Sequence, residues 1–413
     1  MIARCVRGLE WVLAAEVADR LAASDIQLSE RRVSFTLPDL TPDLLALRTA
    51  DDVLLHLGVL DGIDHTHAAL ADLPRELARI DFDRALDRLE TVRKLPARLS
   101  FDVVAGLLGR RNYNRFAVED TAGEFLTDTL GAQYLSRNPA ARSGTPAASD
   151  LTFRLDLHDD CADVSLRLPR RPLHRRPWKL DTGPGTLHPP LAAALAQIAA
   201  AIPDLTAPTP SPGTPTTPAT ALDPFCGDGT IAIELALTFP GLAVLAADLH
   251  ADRLHNAQAN AARAFPTLTP TTTSVNTTNQ PPAPVQFLLA DAGHTSWPDA
   301  PFDLLVTNPP WDRSVGAAGA LADTLDPFWQ QVPASLTEHG RVCTIADADL
   351  DMPDHLRRIG YAVSLTQTVR LAGRVSHVVL ATPPGSREVR LSPTLELWRE
   401  RAIQAGIVST EGF

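Results

Sequence analysis

The chain has 413 residues with 49 acidic and 37 basic side chains, which give a formal net charge of −12. This length allows about two to three domains, and 45% hydrophobic with 21% charged residues is typical of a soluble globular protein. No apolar run reaches the ~18 residues of a membrane span, and charges interrupt the opening segment, so we expect neither a membrane helix nor a signal peptide. The 4 cysteines form no C-x-x-C pair, which argues against a zinc knuckle or disulfide scaffold and favours a reduced, cytoplasmic protein without a metal.

The N-terminal half mixes helix and strand patterns. Helices are predicted at 9–22 and 118–130, and strands at 2–6, 32–37, 98–105, 151–157 and 162–168. The half is therefore predicted to be α+β, built from one or two small units.

The C-terminal half alternates helices with short apolar strands. Helices are predicted at 191–201, 230–237, 251–263 and 328–338. One strand is predicted to end at Leu222, and others cover 242–247, 285–290, 302–307 and 341–346. This alternation implies right-handed crossovers and a parallel sheet, and the pair 361–371 and 374–381 predicts an antiparallel hairpin at one edge. The predicted fold is a doubly wound α/β domain.

Two Pro- and Thr-rich segments, 203–221 and 264–290, interrupt this pattern. Segments of this composition bury too little apolar surface to offset the entropy of ordering them. We expect loops or extended tethers without a binding role.

Residues 223–230, Asp-Pro-Phe-Cys-Gly-Asp-Gly-Thr, lie where a predicted strand ends and a helix begins. Gly227 and Gly229 can take positive φ and let a ligand approach the backbone. Asp248 and Asp291 end the next two strands, and open α/β sheets bind ligands beside such carboxyl ends. Asp248 can accept hydrogen bonds from both hydroxyls of an adenosine ribose, and Asp291 can reach the adenine amino group. The arrangement predicts a nucleoside cofactor. NAD is less favoured, because a pyrophosphate prefers a bare helix N-terminus.

Asn308-Pro309-Pro310-Trp311 follows the fourth predicted strand. Consecutive prolines hold the chain extended and donate no hydrogen bonds, so their carbonyls can face a ligand. The Asn308 side-chain oxygen and the Pro309 carbonyl can both accept hydrogens from one exocyclic amine and disperse the positive charge that develops there. Trp311 can stack on a planar base or amide. A tight turn with a buried tryptophan is the structural alternative.

Two basic patches run against the acidic net charge. Arg93–Arg115 contains 6 basic residues and 1 acid, and Arg170–Lys179 contains 5 basic residues and no acid. Such patches can neutralise nucleic-acid phosphates. A solvated surface and an ordinary linker remain open for either patch alone.

Segments 223–230 and 308–311 resemble the motifs of class I S-adenosylmethionine-dependent methyltransferases that modify exocyclic amino groups. The resemblance implies that Gly227 and Gly229 flank the methionine moiety, Asp223 faces its amino group, Asp248 binds ribose and Asp291 binds adenine. The implied cofactor site also includes Phe225, Thr230 and Asn308. The implied catalytic elements, which orient the amine, are Asn308, Pro309, Pro310 and Trp311. Relatives usually have Tyr-Gly where this chain has Trp311-Asp312.

A looser resemblance covers most of the chain. IARCVRGLEWVLAAEV, the segment around FDVVAGLLGRRNYNRFAVEDTAGEFL, and LHRRPWKLDTGPGTLHPPLAAAL occur in the order found in THUMP-domain methyltransferases that make N2-methylguanosine in tRNA or large-subunit rRNA. The implied layout is a ferredoxin-like unit at 1–50, a THUMP RNA-binding module at 51–168, a basic linker at 169–190, a methyltransferase domain at 191–385 and a tail at 386–413. The implied RNA-facing residues are Arg110, Arg111, Asn112, Tyr113, Arg115, Arg170, Arg171, Arg175 and Arg176.

The resulting hypothesis is methylation of guanine N2 in structured RNA, with tRNA preferred to rRNA. The alternatives are a methyltransferase for adenine N6 or a protein glutamine amide, and a catalytically idle RNA-binding or assembly factor. A dinucleotide-dependent oxidoreductase is the last alternative. The sequence does not fix the oligomeric state, and a monomer is compatible with it.

Overall fold

A computed structural model of the chain describes residues 1–141, 148–180, 183, 185–200, 219–266, 283–294, 296–298, 301–310, 316–371, 373–387 and 390–409. Two compact units are present. The first unit comprises Met1–Arg4, Arg20–Gln27 and Arg32–Leu173, and the second unit comprises Cys5–Asp19, Leu28–Arg31 and His174–Phe413. The first helix, α1 (Glu10–Arg20), therefore lies almost entirely in the second unit.

The first unit is built on an eight-stranded sheet. Its strands are β1 (Ile2–Arg4), β2 (Ser24–Ser29), β3 (Arg32–Thr36), β4 (Asp52–Asp61), β5 (Ser100–Leu107), β6 (Gln133–Tyr134), β7 (Leu151–His158) and β8 (Cys161–Arg167). Their order is β2-β3-β1-β4-β8-β7-β5-β6. The pairs from β3 through β1, β4 and β8 to β7 are antiparallel, while β5 is parallel to β6 and β7.

The helices of the first unit are α2 (His67–Leu77), α3 (Phe82–Glu90) and α4 (Arg115–Leu130). Each begins after a polar side chain that accepts a backbone N–H of the first turn, as N-caps do: Thr66, Asp81 and Asn114. Phe82 packs edge-on against Phe153, which also packs edge-on against Phe101. This aromatic contact joins α3 to the buried face of β5 and β7.

The sheet of the first unit crosses the predicted boundary between residues 50 and 51. Ala3 of β1 pairs with Val53 of β4, so the segments on either side of that boundary share one sheet. Five of the strands and helices named for this unit were not among the predicted ones: β2, β4, β6, α2 and α3. The α+β composition itself agrees with the prediction.

The second unit is built on a seven-stranded sheet. Its strands are β9 (Thr220–Asp223), β10 (Ala243–Asp248), β11 (Val285–Leu289), β12 (Phe302–Thr307), β13 (Leu336–Asp347), β14 (Ala362–Leu371) and β15 (Arg374–Thr382). Their order is β11-β10-β9-β12-β13-β15-β14, with parallel pairing from β11 to β13 and an antiparallel β14–β15 pair at the edge. The doubly wound sheet with an antiparallel edge hairpin is therefore confirmed.

Besides most of α1, the second unit contains six helices among its described residues. They are α5 (Pro189–Ala199), α6 (Thr230–Thr238), α7 (Ala251–Ala264), α8 (Asp326–Ser335), α9 (Met352–Arg358) and α10 (Pro393–Gln404). Helix α8 ends earlier than predicted, because Leu336 already pairs with Phe302 as the first residue of β13. The core between α8 and the sheet contains Phe328, Trp329 and Phe302, each at most 2% exposed.

The opening segment of the chain packs against the edge strand β14. The Arg370 amide donates a hydrogen bond to the Arg7 carbonyl at 3.0 Å. Gly8 has φ of +96°, and a Cβ there would collide with the Thr368 carbonyl oxygen. Residues 5–19 therefore belong to the second unit and not to the predicted N-terminal unit at 1–50.

The predicted tail at 386–413 contains α10. The Ser392 side chain accepts the Leu395 amide and Pro393 opens the helix, an N-terminal signal visible in the sequence. Leu395, Trp398 and Ala402 are buried, so the helix packs on the second unit. None of the described helices is both long and apolar enough to cross a membrane.

Candidate active site

The loop between β9 and α6 carries the first group of predicted residues. Gly227 and Gly229 have φ of +52° and +80°, which L side chains rarely adopt. A Cβ at Gly229 would also lie 3.0 Å from the Cβ of Ala257. Helix α7 thus approaches the loop closely only because residue 229 is glycine.

A cavity of about 510 Å³ borders this loop in the second unit. It lies at the carboxyl ends of parallel strands, where open α/β sheets bind ligands, and its volume suits a small molecule. Other parts of its wall come from residues 185–188, from the residues after β11, and from β14 and β15. The predicted site residues that line it are Phe225, Gly227, Thr230, Asp248, Asp291, Asn308, Pro309 and Pro310.

Asp248 lies on the cavity wall at the end of β10. Its Oδ2 accepts the Gly227 amide and its Oδ1 accepts the His250 amide, both at 2.9 Å. These bonds fix the orientation of the carboxylate. A carboxylate offers about four acceptor sites, so Asp248 keeps capacity for ligand hydroxyls.

Asp291 is held in the same way near the end of β11. Its Oδ1 accepts the Gly293 amide at 2.9 Å and its Oδ2 accepts the Ala320 amide at 2.8 Å. Gly319 has φ of +63°, and a Cβ there would collide with the Asp291 carboxylate. The backbone after residue 316 is thereby kept close to this side chain.

Asp223 lies beneath the cavity and is not one of the residues that line it. It is 0% exposed, and its Oδ1 accepts the Thr307 hydroxyl at 2.9 Å. Burial raises its pKa from 3.8 to about 7. This position corrects the predicted contact with a methionine amino group, because the side chain at the end of β9 points to the neighbouring strand β12. Gly229 likewise does not line the cavity and acts as the N-cap of α6.

The buried carboxyl of Asp223 predicts a specific pH dependence of stability. Because its pKa is raised in the folded state, folding binds a proton, and stability falls as pH rises from about 4 to about 7. Asp223→Asn removes this dependence. The free energy of unfolding of the variant minus that of the wild-type protein should therefore be roughly 2–4 kcal/mol larger at pH 8 than at pH 4. Urea unfolding of both proteins across this range measures the difference. If the free energies of unfolding of the two proteins change with pH in the same way, Asp223 does not take up a proton on folding.

Asn308 follows β12 and lines the cavity. Its Nδ2 donates to the Gly185 carbonyl at 3.2 Å, which fixes the orientation of the amide. Its Oδ1 is buried and has no hydrogen-bond partner among the residues that the structure describes. A buried acceptor without a partner costs free energy unless a ligand supplies the donor. Trp311 and Asp312 lie outside the described residues, as do residues 203–218 and 267–282 of the Pro- and Thr-rich segments.

Residues 185–188 form a part of the cavity wall that the sequence analysis assigned to a basic linker. Asp228, between the two glycines of the loop, anchors this segment. Its Oδ2 accepts the Thr186 hydroxyl at 2.7 Å and the Gly183 amide at 3.3 Å. Closely spaced glycines directly before a helix were a signal of an ordered turn.

Of the three cations at positions 175, 176 and 179, the last two are buried or partly buried and form contacts within the second unit. Arg176 donates to Glu234 at 2.8 Å, and the two side chains are 7% and 0% exposed. Arg176 is therefore not RNA-facing, because the buried Glu234 carboxylate needs its charge. Lys179 donates to the Leu187 carbonyl at 3.1 Å, and burial lowers its pKa to about 8. Arg175 is exposed.

The predicted RNA-facing residues of the first unit also divide into two groups. Arg111 donates to the carbonyls of Ile63, Asp64 and Asp159 at 2.8–2.9 Å. Tyr113 is buried, and its hydroxyl donates to the Asp64 carbonyl. These two residues close a loop through their hydrogen bonds. This corrects the prediction that they face RNA. The exposed members are Arg110, Asn112, Arg115, Arg170 and Arg171.

Comparisons with known proteins agree with this geometry. Residues 176–376 match the family described as UPF0020: RMKL-like, methyltransferase domain. The chain is 30% identical over 247 residues to a tRNA (guanine(6)-N2)-methyltransferase of Thermus thermophilus, a match that covers 60% of this chain and 62% of the relative. It is 41% identical over 93 residues to a release factor glutamine methyltransferase of Chlorobaculum tepidum, which covers 22% of this chain and 26% of that protein.

The crystal structure of TrmN from Thermus thermophilus superposes with a TM-score of 0.67 at 25% sequence identity. The superposition covers 92% of this chain and 98% of TrmN. The fold is thus that of class I methyltransferases, as the sheet order indicates. Residues 176–376, slightly under half of the chain, are thus similar to the methyltransferase domain that this family describes.

Proposed function

We propose that this protein transfers a methyl group from S-adenosylmethionine to the exocyclic N2 of a guanosine in tRNA. The observation that carries the proposal is that Asn308 and Pro309 share one cavity with Asp248 and Asp291. One side of this cavity fits a nucleoside and the other fits an amine. The relative from Thermus thermophilus supports the choice of tRNA and of guanine N2.

The residues present fit an adenosyl cofactor. Asp248 offers oriented acceptors for ribose hydroxyls, and Asp291 offers the same to an adenine amino group. Gly227 lines the cavity and presents bare backbone to a ligand. A Cβ at this position would also lie 3.3 Å from the Arg253 guanidinium. When bound, S-adenosylmethionine supplies a methyl group on a positively charged sulfur. Phe225 and Thr230 complete this wall.

On the amine side, Asn308 is the residue that selects the nucleophile. Its buried Oδ1 can accept one hydrogen of an NH2 group, and the Pro309 carbonyl can accept the other. Two acceptors fix the plane of the amine and turn its lone pair toward the cavity. They also stabilise the positive charge that develops on nitrogen as the new bond forms. Most of the rate enhancement then comes from orientation, and no strong base is needed.

The first unit is proposed as the part that holds RNA, in the ferredoxin-like and THUMP arrangement implied by the sequence. Its exposed cations support this assignment: Arg110, Arg115, Arg170 and Arg171. Arg175, in the second unit, is a further exposed cation.

A protein glutamine amide is the second candidate acceptor. The 93-residue match to a release factor glutamine methyltransferase favours it, because an amide NH2 fits the same two acceptors. That match covers 22% of this chain, whereas the match to the tRNA enzyme covers 60%. The longer match favours the nucleic-acid substrate.

Nucleoside mass spectrometry of cells that lack the protein tests the proposed function. We expect N2-methylguanosine to be lost from one tRNA species and restored by the wild-type gene. The Asn308→Ala gene should not restore it. An unchanged nucleoside profile in tRNA, with unmethylated release factor in the same cells, would support the second candidate and contradict the first.

A further inference from the structure

A cleft in the first unit brings together cations that are distant in the sequence. It is lined by Arg93, Lys94, Leu95, Pro96, Asp150 and Arg170. Arg170 came from the second basic patch of the sequence, while Arg93 and Lys94 came from the first. The fold thus merges parts of both patches into one surface feature.

Arg93 is fixed at the base of this cleft. Its Nε donates to the Leu168 carbonyl at 2.7 Å, and its Nη2 donates to the Asp150 carbonyl at 2.8 Å. These bonds use two of the five N–H groups of a guanidinium. Both acceptors are neutral backbone carbonyls, so these two bonds hold the guanidinium in place without pairing it with a carboxylate.

The cleft carries more positive than negative charge. Asp150 is its single carboxylate among the lining residues, and it pairs with Arg170 at 2.9 Å. The other Asp150 oxygen accepts the hydroxyl and the amide of Ser100. Burial and the nearby Arg170 charge lower the pKa of Arg93. An anion in the cleft would relieve this repulsion between like charges.

We propose that the Arg93–Lys94–Arg170 cleft binds a phosphate of the tRNA backbone and positions the RNA on the first unit. The inference rests on the proposed function and names the contact through which that substrate is held. Lys94 is exposed and Arg170 is 64% exposed, so both can reach a backbone that passes over the cleft. Arg93 supplies the fixed donor beneath them.

The test uses Lys94→Gln, Arg170→Gln and the double variant in the full chain. Arg93 is left intact because its bonds to two carbonyls support the fold. Arg84→Gln is the matched control, since Arg84 is an exposed cation of the same unit that lies on α3 beside Asp81, Asp83 and Asp87. Melting temperatures should be unchanged, because exposed ion pairs contribute little to stability.

Binding of an unmodified tRNA transcript is measured over a series of salt concentrations. Each substitution should reduce the slope of log K against log salt by about one. The double variant should lose about tenfold or more in affinity and raise KM for tRNA with kcat unchanged, while Arg84→Gln behaves as wild type.

If the double variant binds tRNA with the salt dependence and affinity of the wild-type protein, the cleft is not a phosphate site. The proposed function stays intact in that case, provided that the wild-type protein methylates the transcript. A wild-type protein that neither binds nor methylates tRNA would overturn the proposed function itself. The two failures are therefore distinguishable in one experiment.

Discussion

Asn308→Ala is expected to lower kcat by about 10²–10³-fold, the usual effect of removing one group that stabilises charge in a transition state. Its Oδ1 is the proposed acceptor that orients the amine, and it has no hydrogen-bond partner among the described residues. Because Asn308 acts on the amine, the affinity for S-adenosylmethionine should stay close to the wild-type value. Single-turnover methylation of tRNA and calorimetry with the cofactor measure the two effects separately.

A second substitution separates this role from a merely structural one. Asn308 also donates to the Gly185 carbonyl, so alanine removes a contact to the cavity wall as well. Asn308→Asp loses that donor but keeps acceptor oxygens. If the acceptor matters, Asn308→Asp retains more activity than Asn308→Ala. Equal loss in both variants, accompanied by weaker cofactor binding, would assign Asn308 to wall structure alone.

Asp248→Asn should weaken binding of S-adenosylmethionine by about 10- to 100-fold, the range expected when a charged hydrogen bond to a ligand is lost. The carboxylate is fixed by the Gly227 and His250 amides and lies on the cavity wall. At saturating cofactor kcat should recover, because the interaction is made equally in the ground state and the transition state. Calorimetry gives the affinity directly.

Asp252→Asn is the matched control for Asp248. It makes the same charge change four residues later, at an exposed position in the first turn of α7 that does not line the cavity. It should leave cofactor affinity unchanged. Equal affinities of the wild-type protein and Asp248→Asn would remove Asp248 from the cofactor site.

The second unit was predicted well because its signals are local. The strand Phe302–Thr307 was predicted to the residue, because four of its five buried residues are apolar. The start of β13 at Leu336 was missed because it depends on pairing with Phe302, a contact that sequence patterns do not carry. Residues 5–19 were assigned to the wrong unit for the same reason, since their place is set by contact with β14.

The cavity residues were predictable from their position at strand ends, which a parallel sheet brings to one edge. Asp223 was not, because the direction in which its side chain points depends on Thr307 of the neighbouring strand. Residues 185–188 were missed because their cation-rich surroundings resembled a linker. Cations were the least predictable class: Arg176 and Arg111 look like RNA ligands in the sequence but neutralise a buried carboxylate and close a loop.

Methyl transfer to two tRNA transcripts that differ in one atom group tests the proposed methylation of guanine N2 most directly. The purified protein is supplied with labelled S-adenosylmethionine and a transcript that contains either guanosine or inosine, which lacks the exocyclic N2 amine. We predict labelled N2-methylguanosine in the first transcript and no label in the second. Label on the inosine transcript, or none on either, would contradict a site built around Asn308 and an exocyclic amine.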